Sequence, residues 1–149
     1  MKIEKAIKQV EFKNDYQKAV INILYTASWI NLQQTQLFKK YGISPSQYNV
    51  MRILRGQFPQ PATVNLIIDR MLDKNSNASR LVEKLRLKNL IERVTCPEDR
   101  RSVNVLITKK GLDILNELDE IEKNFESGIK NITLKEAAVL SDLLDKIRD

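Results

Sequence analysis

The segment of the sequence best suited to binding chemistry is a charged turn between two short runs of alternating apolar and polar residues. One run covers residues 89–95 and the other residues 102–108, and such a pair predicts a β-hairpin. Its tip carries Asp99, Arg100 and Arg101. A guanidinium at the end of a thin β-ribbon can enter the minor groove of duplex DNA, where A·T-rich sequence concentrates negative potential. We predict that Asp99 orients Arg101 there; the alternative is a surface ion pair worth under about 1 kcal/mol.

A second polar surface lies on a helix that the pattern predicts over residues 75–88, capped by Asp73 or Asn75. Ala78, Leu81, Val82 and Leu85 recur at helical spacing and should face the core. The side chains that could contact base edges or phosphates are Asn75, Ser76, Asn77, Ser79, Arg80 and Lys84. The alternative for this face is an ordinary solvated helix surface.

The order of the elements assigns these two surfaces to one DNA-binding motif. Two short helices joined by a tight turn, then a hairpin, form a helix-turn-helix with a wing. A major groove admits one α-helix, whose early residues reach base edges while neighbouring groups hold phosphates. We therefore expect double-stranded DNA as the partner.

Composition excludes several classes of function. The chain has one cysteine and no histidine, so a disulfide framework, a Cys/His zinc site and a histidine-based catalytic triad are ruled out. Its four glycines form no phosphate-binding loop. We expect no enzymatic activity, no cofactor and no metal.

The same composition bears on location. Charges every two or three residues at the N-terminus are incompatible with a secretory signal. The uncharged segment 19–38 contains too many amides and hydroxyls for a membrane span. A single cysteine fits a reducing compartment, so we expect a cytoplasmic protein with no membrane partner.

Charge is distributed unevenly along the chain, whose net charge is +6. Residues 70–110 carry 11 basic and 5 acidic side chains, whereas residues 111–149 carry 5 basic and 10 acidic ones. The middle of the chain should therefore meet a polyanion, with the C-terminal segment turned elsewhere.

The remaining elements are predicted to be helical. A long helix should run from about Phe12 to Tyr41 and end at Gly42. Caps at Ser44, Thr63, Thr108 and Thr133 should open four further helices. The predicted fold is mainly α with a small β-hairpin wing.

The segment from Leu81 to Leu115 resembles the MarR family of winged-helix transcription regulators. Three motifs carry the resemblance: Asn89-Leu90-Ile91-Glu92-Arg93, then Cys96-Pro97-Glu98-Asp99-Arg100-Arg101, then Ile107-Thr108-Lys109-Lys110-Gly111. The chain departs from the family pattern at Asn89, where the family has glycine, and at Cys96, where it has aspartate. Asn89 tolerates the same backbone region, while Cys96 replaces a carboxylate with a thiol.

The resemblance implies a homodimer with two winged-helix lobes, Arg101 in the minor groove and the polar face of the helix in the major groove. It implies one domain over residues 1–149. The DNA-binding lobe should occupy about 42–110, and the terminal helices, about 1–41 and 111–149, should form the dimerisation region. Two-fold symmetry then predicts a palindromic operator. Binding of such a regulator to its operator would usually repress transcription.

Regulation by a ligand is a further expectation from the resemblance. A small aromatic effector would bind between the lobe and the dimer helices, lined by Tyr25, Trp29, Phe38, Tyr48 and Met51. Core packing is the alternative for each of these residues. For the whole protein, the alternative function is a winged-helix module that binds protein or RNA without operator specificity.

Overall fold

The computed structural model describes residues 1–95, 103–126 and 131–149. The helices are α1 (Ile3–Ile7), α2 (Asp15–Phe38), α3 (Pro45–Gln57), α4 (Val64–Arg70), α5 (Ala78–Leu87), α6 (Lys109–Glu126) and α7 (Leu134–Arg148). A 3-10 turn covers Lys39–Tyr41, and the strands are β1 (Ala62–Thr63), β2 (Ile91–Val94) and β3 (Asn104–Ile107). The fold is mainly helical with one small antiparallel sheet, which confirms the predicted fold class.

The winged-helix lobe, residues 42–107, is built on three helices that pack against one another. Ser44 opens α3 with the predicted reciprocal cap, because its Oγ accepts from the Gln47 amide at 3.2 Å and Gln47 Oε1 accepts from the Ser44 amide at 3.0 Å. Thr63 caps α4 by accepting from the Leu66 amide at 3.1 Å. The largest fully buried side chains of the lobe are Val50, Met51, Leu54, Ile67, Val82, Leu85, Leu90, Ile91 and Ile107. Each such side chain contributes roughly 1.5–3 kcal/mol through burial, so the core holds α5 firmly.

The wing belongs to a three-stranded sheet of order β1-β3-β2, in which Ile91 pairs with Ile107 and Val94 with Asn104. The predicted hairpin is thus present, but the prediction of two strands alone was incomplete. The third strand has two residues, Ala62 and Thr63, and it pairs with the other edge of β3. A two-residue strand is too short to show alternation in the sequence.

The junction between the lobe and α6 depends on Thr108. Its Oγ accepts from the Gly111 amide at 3.1 Å, the predicted cap, and donates to the Asn89 carbonyl at 2.8 Å. The Thr108 amide donates to the Leu90 carbonyl at 3.1 Å. Asn89 has φ +58°, which confirms the predicted left-handed residue after α5. Three hydrogen bonds therefore fix the direction in which α6 leaves the lobe.

The long N-terminal helix is shorter than predicted. It begins at Asp15 and not near Phe12, because the Asn14 side chain accepts from the Gln17 amide at 2.9 Å and forms the cap. It ends at Phe38 and tightens into the 3-10 turn before Gly42, whose φ of +66° agrees with the predicted terminator.

Helices α2 and α7 lie beside each other and leave an apolar groove of about 520 Å³ between them. Its lining includes Ile23, Ala27, Ile30, Leu140, Leu143 and Ile147.

No helix among the described residues is long and apolar enough to cross a membrane.

Candidate nucleic-acid interface

The turn between α4 and α5 is held by hydrogen bonds to the preceding helices α3 and α4. Asn49 on α3 accepts a hydrogen bond from the Leu72 amide through Oδ1 at 3.0 Å. The Lys74 ammonium donates to the Ile68 and Asp69 carbonyls at 3.2 and 2.5 Å. A cation at the carboxyl end of a helix satisfies its free carbonyls and complements its dipole. The turn that aims α5 is therefore braced at both ends.

Asp73 organises the residues just before α5. Its Oδ1 accepts from the Asn75 amide at 3.0 Å and its Oδ2 from the Ser76 hydroxyl at 2.7 Å. The Ser76 hydrogen bond, followed by that of the Asn75 amide, lowers the pKa of the Asp73 carboxyl. Asn75 and Ser76 thus lie in a side-chain-stabilised turn, presented on the surface ahead of the helix.

The predicted start of this helix was wrong by about three residues. Asn77 is the cap, because its Oδ1 accepts from the Arg80 amide at 2.9 Å, and the helix begins at Ala78. Asp73 was a predicted cap, but its carboxylate is used by the turn. Asn75, Ser76 and Asn77 therefore precede the helix instead of occupying its first turns. The Asn77 amide nitrogen still carries two donors.

The outer face of α5, which we call the recognition face, consists of Ser79, Arg80 and Lys84. All three are exposed or partly exposed, while Ala78, Val82 and Leu85 are buried on the opposite side, as the periodicity predicts. Within the described part of the chain, neither Arg80 nor Lys84 forms an ion pair. Two cations one turn apart and a hydroxyl are thus available to a ligand on one helix face.

The hairpin tip lies outside the described residues. Asp99, Arg100 and Arg101, with Cys96, fall in the segment 96–102, so their predicted roles stay predictions. The described strands on either side of this segment pair with each other, Val94 with Asn104.

The predicted effector residues lie partly in the core and partly on the surface. Phe38, Tyr48 and Met51 are buried in the core, where the Phe38 and Tyr48 rings lie 4.4 Å apart. Tyr25 and Trp29 are exposed on α2, at 39% and 44% of their surface. The burial of Phe38, Tyr48 and Met51 agrees with the core-packing alternative for those three residues. The effector role of the five residues stays a prediction.

A different cleft, of about 620 Å³, lies where the end of α2, the start of α3 and the second half of α5 meet. Its lining includes Lys39, Ile43, Leu81, Lys84, Leu87 and Lys88. The Lys88 ammonium contacts the Gly42 carbonyl and lies 3.4 Å from Gln47 Oε1. We call this space the lysine cleft. Lys84 belongs both to it and to the recognition face.

Several residues of the interface were missed by sequence reasoning. Asn49 and Lys74 brace the turn, and Glu83, Arg86 and Arg93 form an ion-pair cluster beside the recognition face. Only the Asp-x-Asn-Ser pattern at residues 73–76 carried a local signal, since such spacing is typical of a side-chain-stabilised turn. In the described residues, no three His, Cys, Asp or Glu side chains are grouped so that they could hold a metal ion.

Comparison with known proteins agrees with this geometry. Residues 41–102 match the model of the MarR family. The HTH-type transcriptional regulator MhqR of Bacillus subtilis is 26% identical over 119 residues, which cover 79% of this chain and 81% of MhqR.

Two solved structures have the same fold. The S. aureus MepR–DNA complex matches with a TM-score of 0.78 at 20% identity, over 92% of this chain and 97% of that one. Bordetella bronchiseptica BpsR, solved in work on regulation of its DNA binding by 6-hydroxynicotinic acid, matches with a TM-score of 0.72 at 21% identity, over 86% of this chain and 91% of that one. The family match over residues 41–102 and the similarity to MhqR confirm the resemblance seen in the sequence: this part of the chain matches the MarR family, and the chain is similar to a curated regulator of transcription.

Proposed function

We propose that this protein is a sequence-specific regulator of transcription that binds double-stranded DNA through the recognition face of α5. The observation that carries the proposal is the set Ser79, Arg80 and Lys84 on the outer side of a helix whose other side is buried. Arg can bond bidentately to guanine, and Ser to several base edges, which are contacts that discriminate sequence. Asn75, Ser76 and Asn77, in the turn ahead of the helix, would add contacts to bases or phosphates.

The wing would supply the second contact. Arg101 is proposed to enter the minor groove beside the major groove filled by α5, with Asp99 orienting it and Arg100 on a phosphate. The basic balance of residues 70–110 supports this arrangement, because phosphate contacts provide most of the affinity for duplex DNA.

We further propose that the protein acts as a homodimer. The helices outside the lobe expose large apolar side chains, including Leu24 at 64%, Leu143 at 54% and Ile147 at 63%. The α2–α7 groove is continuous with this surface, and exposed apolar surface of that extent indicates an interface. A two-fold dimer would present two recognition faces to a palindromic operator, where binding would block transcription. A single cysteine fits a cytoplasmic setting for such a repressor.

An effector would bind in the lysine cleft. Lys39 and Lys84 favour an anion, whereas Leu81 and Leu87 favour an apolar body, so a small aromatic acid fits both requirements. The volume of the lysine cleft lies within the usual range for ligand pockets. Because Lys84 is shared with the recognition face, a bound acid would compete with DNA for that cation. The relative BpsR, whose structure concerns regulation by 6-hydroxynicotinic acid, supports this chemical class.

The test begins with in vitro selection of duplexes from a random pool by the full chain. The selected duplex should bind at least about 10³-fold more tightly than random duplex of equal length at the same salt. Arg80→Ala should lose more affinity for the selected duplex, by roughly 1–3 kcal/mol, than for random duplex. Arg148→Ala, which removes the same charge from α7, outside the recognition face, serves as the matched control and should leave the preference unchanged.

Two kinds of result would contradict this proposal. Equal losses on both duplexes would make Arg80 a phosphate contact only. A chain that selects no duplex, or that binds RNA or a protein in preference to every duplex, would replace the proposed function with that of an interaction module.

A further inference from the structure

Glu83 is an acidic side chain on a helix whose exposed face is otherwise suited to a polyanion. It lies one helical turn beyond Ser79 and Arg80. Its Oε1 accepts from Arg86 Nη2 at 2.7 Å, and its Oε2 accepts from Arg86 Nε at 3.1 Å and from Arg93 Nη2 at 3.0 Å. Arg86 is on the same helix, whereas Arg93 is on β2. One carboxylate therefore joins the recognition helix to the first strand of the wing.

The cluster changes the charge that a duplex would meet. The hydrogen bond from Arg86 is the largest cause that lowers the pKa of the Glu83 carboxyl, so Glu83 stays ionised near neutral pH. Two guanidiniums and one carboxylate leave a single net positive charge. Moreover, the guanidinium donors that face the carboxylate are not available to phosphates. Glu83 thus restrains two arginines that would otherwise be general phosphate contacts.

Stability alone is a poor explanation for this arrangement. The three side chains are 39% to 56% exposed, and ion pairs at such exposure contribute little to folding. The position of Arg93 is more informative. It pairs with Val105 in the middle of the β2–β3 ladder, so a bond from α5 to Arg93 restrains the strand pair that carries the hairpin tip.

We propose that Glu83 is a specificity-determining positioning residue, which sets the wing against the recognition helix through Arg93 and withholds Arg86 and Arg93 from the phosphates of arbitrary sequence. The inference rests on the proposed DNA-binding function and deepens it. Released arginines would strengthen binding to any duplex, whereas a wing free to move would weaken binding to the selected one. Loss of the carboxylate should therefore raise non-specific affinity and lower discrimination together.

The test uses Glu83→Gln in the full chain, because glutamine keeps the length of the side chain and removes its charge. Binding is measured on the duplex selected by the wild-type protein and on random duplex, over a series of salt concentrations. We expect random-duplex affinity to rise roughly 10-fold at low salt, and the slope of log K against log salt to steepen by about 1 to 2, as one or two phosphate contacts are added. The preference for the selected duplex should fall by at least the same factor.

Glu92→Gln is the matched control. Glu92 is the residue before Arg93 on β2 and is exposed, and among the described residues it forms no ion pair. Its substitution changes the net charge identically, so it should raise both affinities by the same small factor and leave the preference intact. In a background of Arg93→Gln, the effect of Glu83→Gln on the preference should shrink, because the proposed coupling partner is gone.

Three results would overturn the inference. Equal preferences for Glu83→Gln and Glu92→Gln would show that only net charge matters. A loss confined to the selected duplex, with an unchanged salt slope, would mean that Glu83 contacts a base directly, such as a cytosine amino group. A loss on both duplexes with a lowered unfolding temperature would leave Glu83 a structural role only. If the wild-type chain itself preferred no duplex, the proposed function would fail first, which separates that failure from these three.

Discussion

Replacing Gly111 by alanine should destabilise the protein, because a methyl group at this position has no room. Gly111 is the third residue of α6, and a Cβ there would lie 2.4 Å from the Leu90 carbonyl oxygen and 2.8 Å from Ile107 Cγ1. The oxygen belongs to backbone and also accepts the Thr108 amide, so it cannot move away without breaking that hydrogen bond. The helix must shift instead. This explains why a glycine stands at position 111.

The magnitude follows from three contributions. Overpacking costs about 1–3 kcal/mol, a strained or broken hydrogen bond costs about 1 kcal/mol, and the better helix propensity of alanine returns at most about 1 kcal/mol. The free energy of unfolding of Gly111→Ala should therefore fall by roughly 1–4 kcal/mol.

Gly56→Ala is the control within the same chain. Gly56 lies in α3, and apart from the adjoining residues and backbone of its own helix, no described heavy atom lies within 4 Å of the position that an added Cβ would occupy. This variant should gain about 0.5–1 kcal/mol. Both are measured by urea unfolding at one protein concentration, since a dimer's stability depends on concentration. Equal stability of Gly111→Ala and Gly56→Ala would refute the packing explanation.

Three further predictions concern other parts of the molecule. Asn77→Ala should lower the free energy of unfolding by about 1 kcal/mol through loss of the α5 cap; denaturation at neutral pH measures this, and an unchanged midpoint would contradict the assigned cap. Leu143→Asp should convert a dimer into monomers in sedimentation experiments, whereas Ser141→Asp, the same charge outside the groove, should not; two dimeric variants would exclude the α2–α7 surface as the interface. The Thr133 amide and hydroxyl lower the pKa of the Glu136 carboxyl below its ordinary 4.5, so its contribution to stability is present above about pH 4.5 and is lost as pH falls through the folded value. The stability difference between wild type and Glu136→Gln should therefore shrink as pH falls from neutrality through that folded value, and a constant difference would contradict this linkage.

Local signals in the sequence were sufficient for several helix ends. Ser44, Thr63 and Thr133 accept from the amides predicted for them, and Gly42 and Asn89 adopt the left-handed conformation. These features depend on contacts between residues close in sequence, so residue type and spacing determine them.

The start of α5 could not be found in that way, because Asp73, Asn75 and Asn77 are all good caps. A contact distant in sequence bears on which of the three is the cap. Asn49, 23 residues before Leu72, accepts a hydrogen bond from the Leu72 amide at the start of the turn. The Glu83–Arg93 bond has the same character, since it becomes evident only when β2 returns alongside α5. Contacts between elements distant in sequence leave no periodic pattern.

The burial of the aromatic side chains also could not be predicted from the sequence. Tyr48 and Phe38 could line a pocket or fill a core, and both uses place an aromatic residue on the inner face of a helix. The packing of α2 against α3 decides between them, and it brings the two rings into contact. The lysine cleft was missed because its cations come from separate elements, whose lysines resemble any solvated charge in the sequence.

The central claim, that α5 enters the major groove of two half-sites, is tested most directly by replacing purines in the selected duplex with 7-deazapurines. This change deletes the N7 acceptor, which lies in the major groove, and leaves the minor groove and the phosphates unaltered. We predict losses of affinity that cluster in two patches separated by a whole number of helical turns. Full affinity of the wild-type protein for a duplex in which every purine is replaced would contradict the claim.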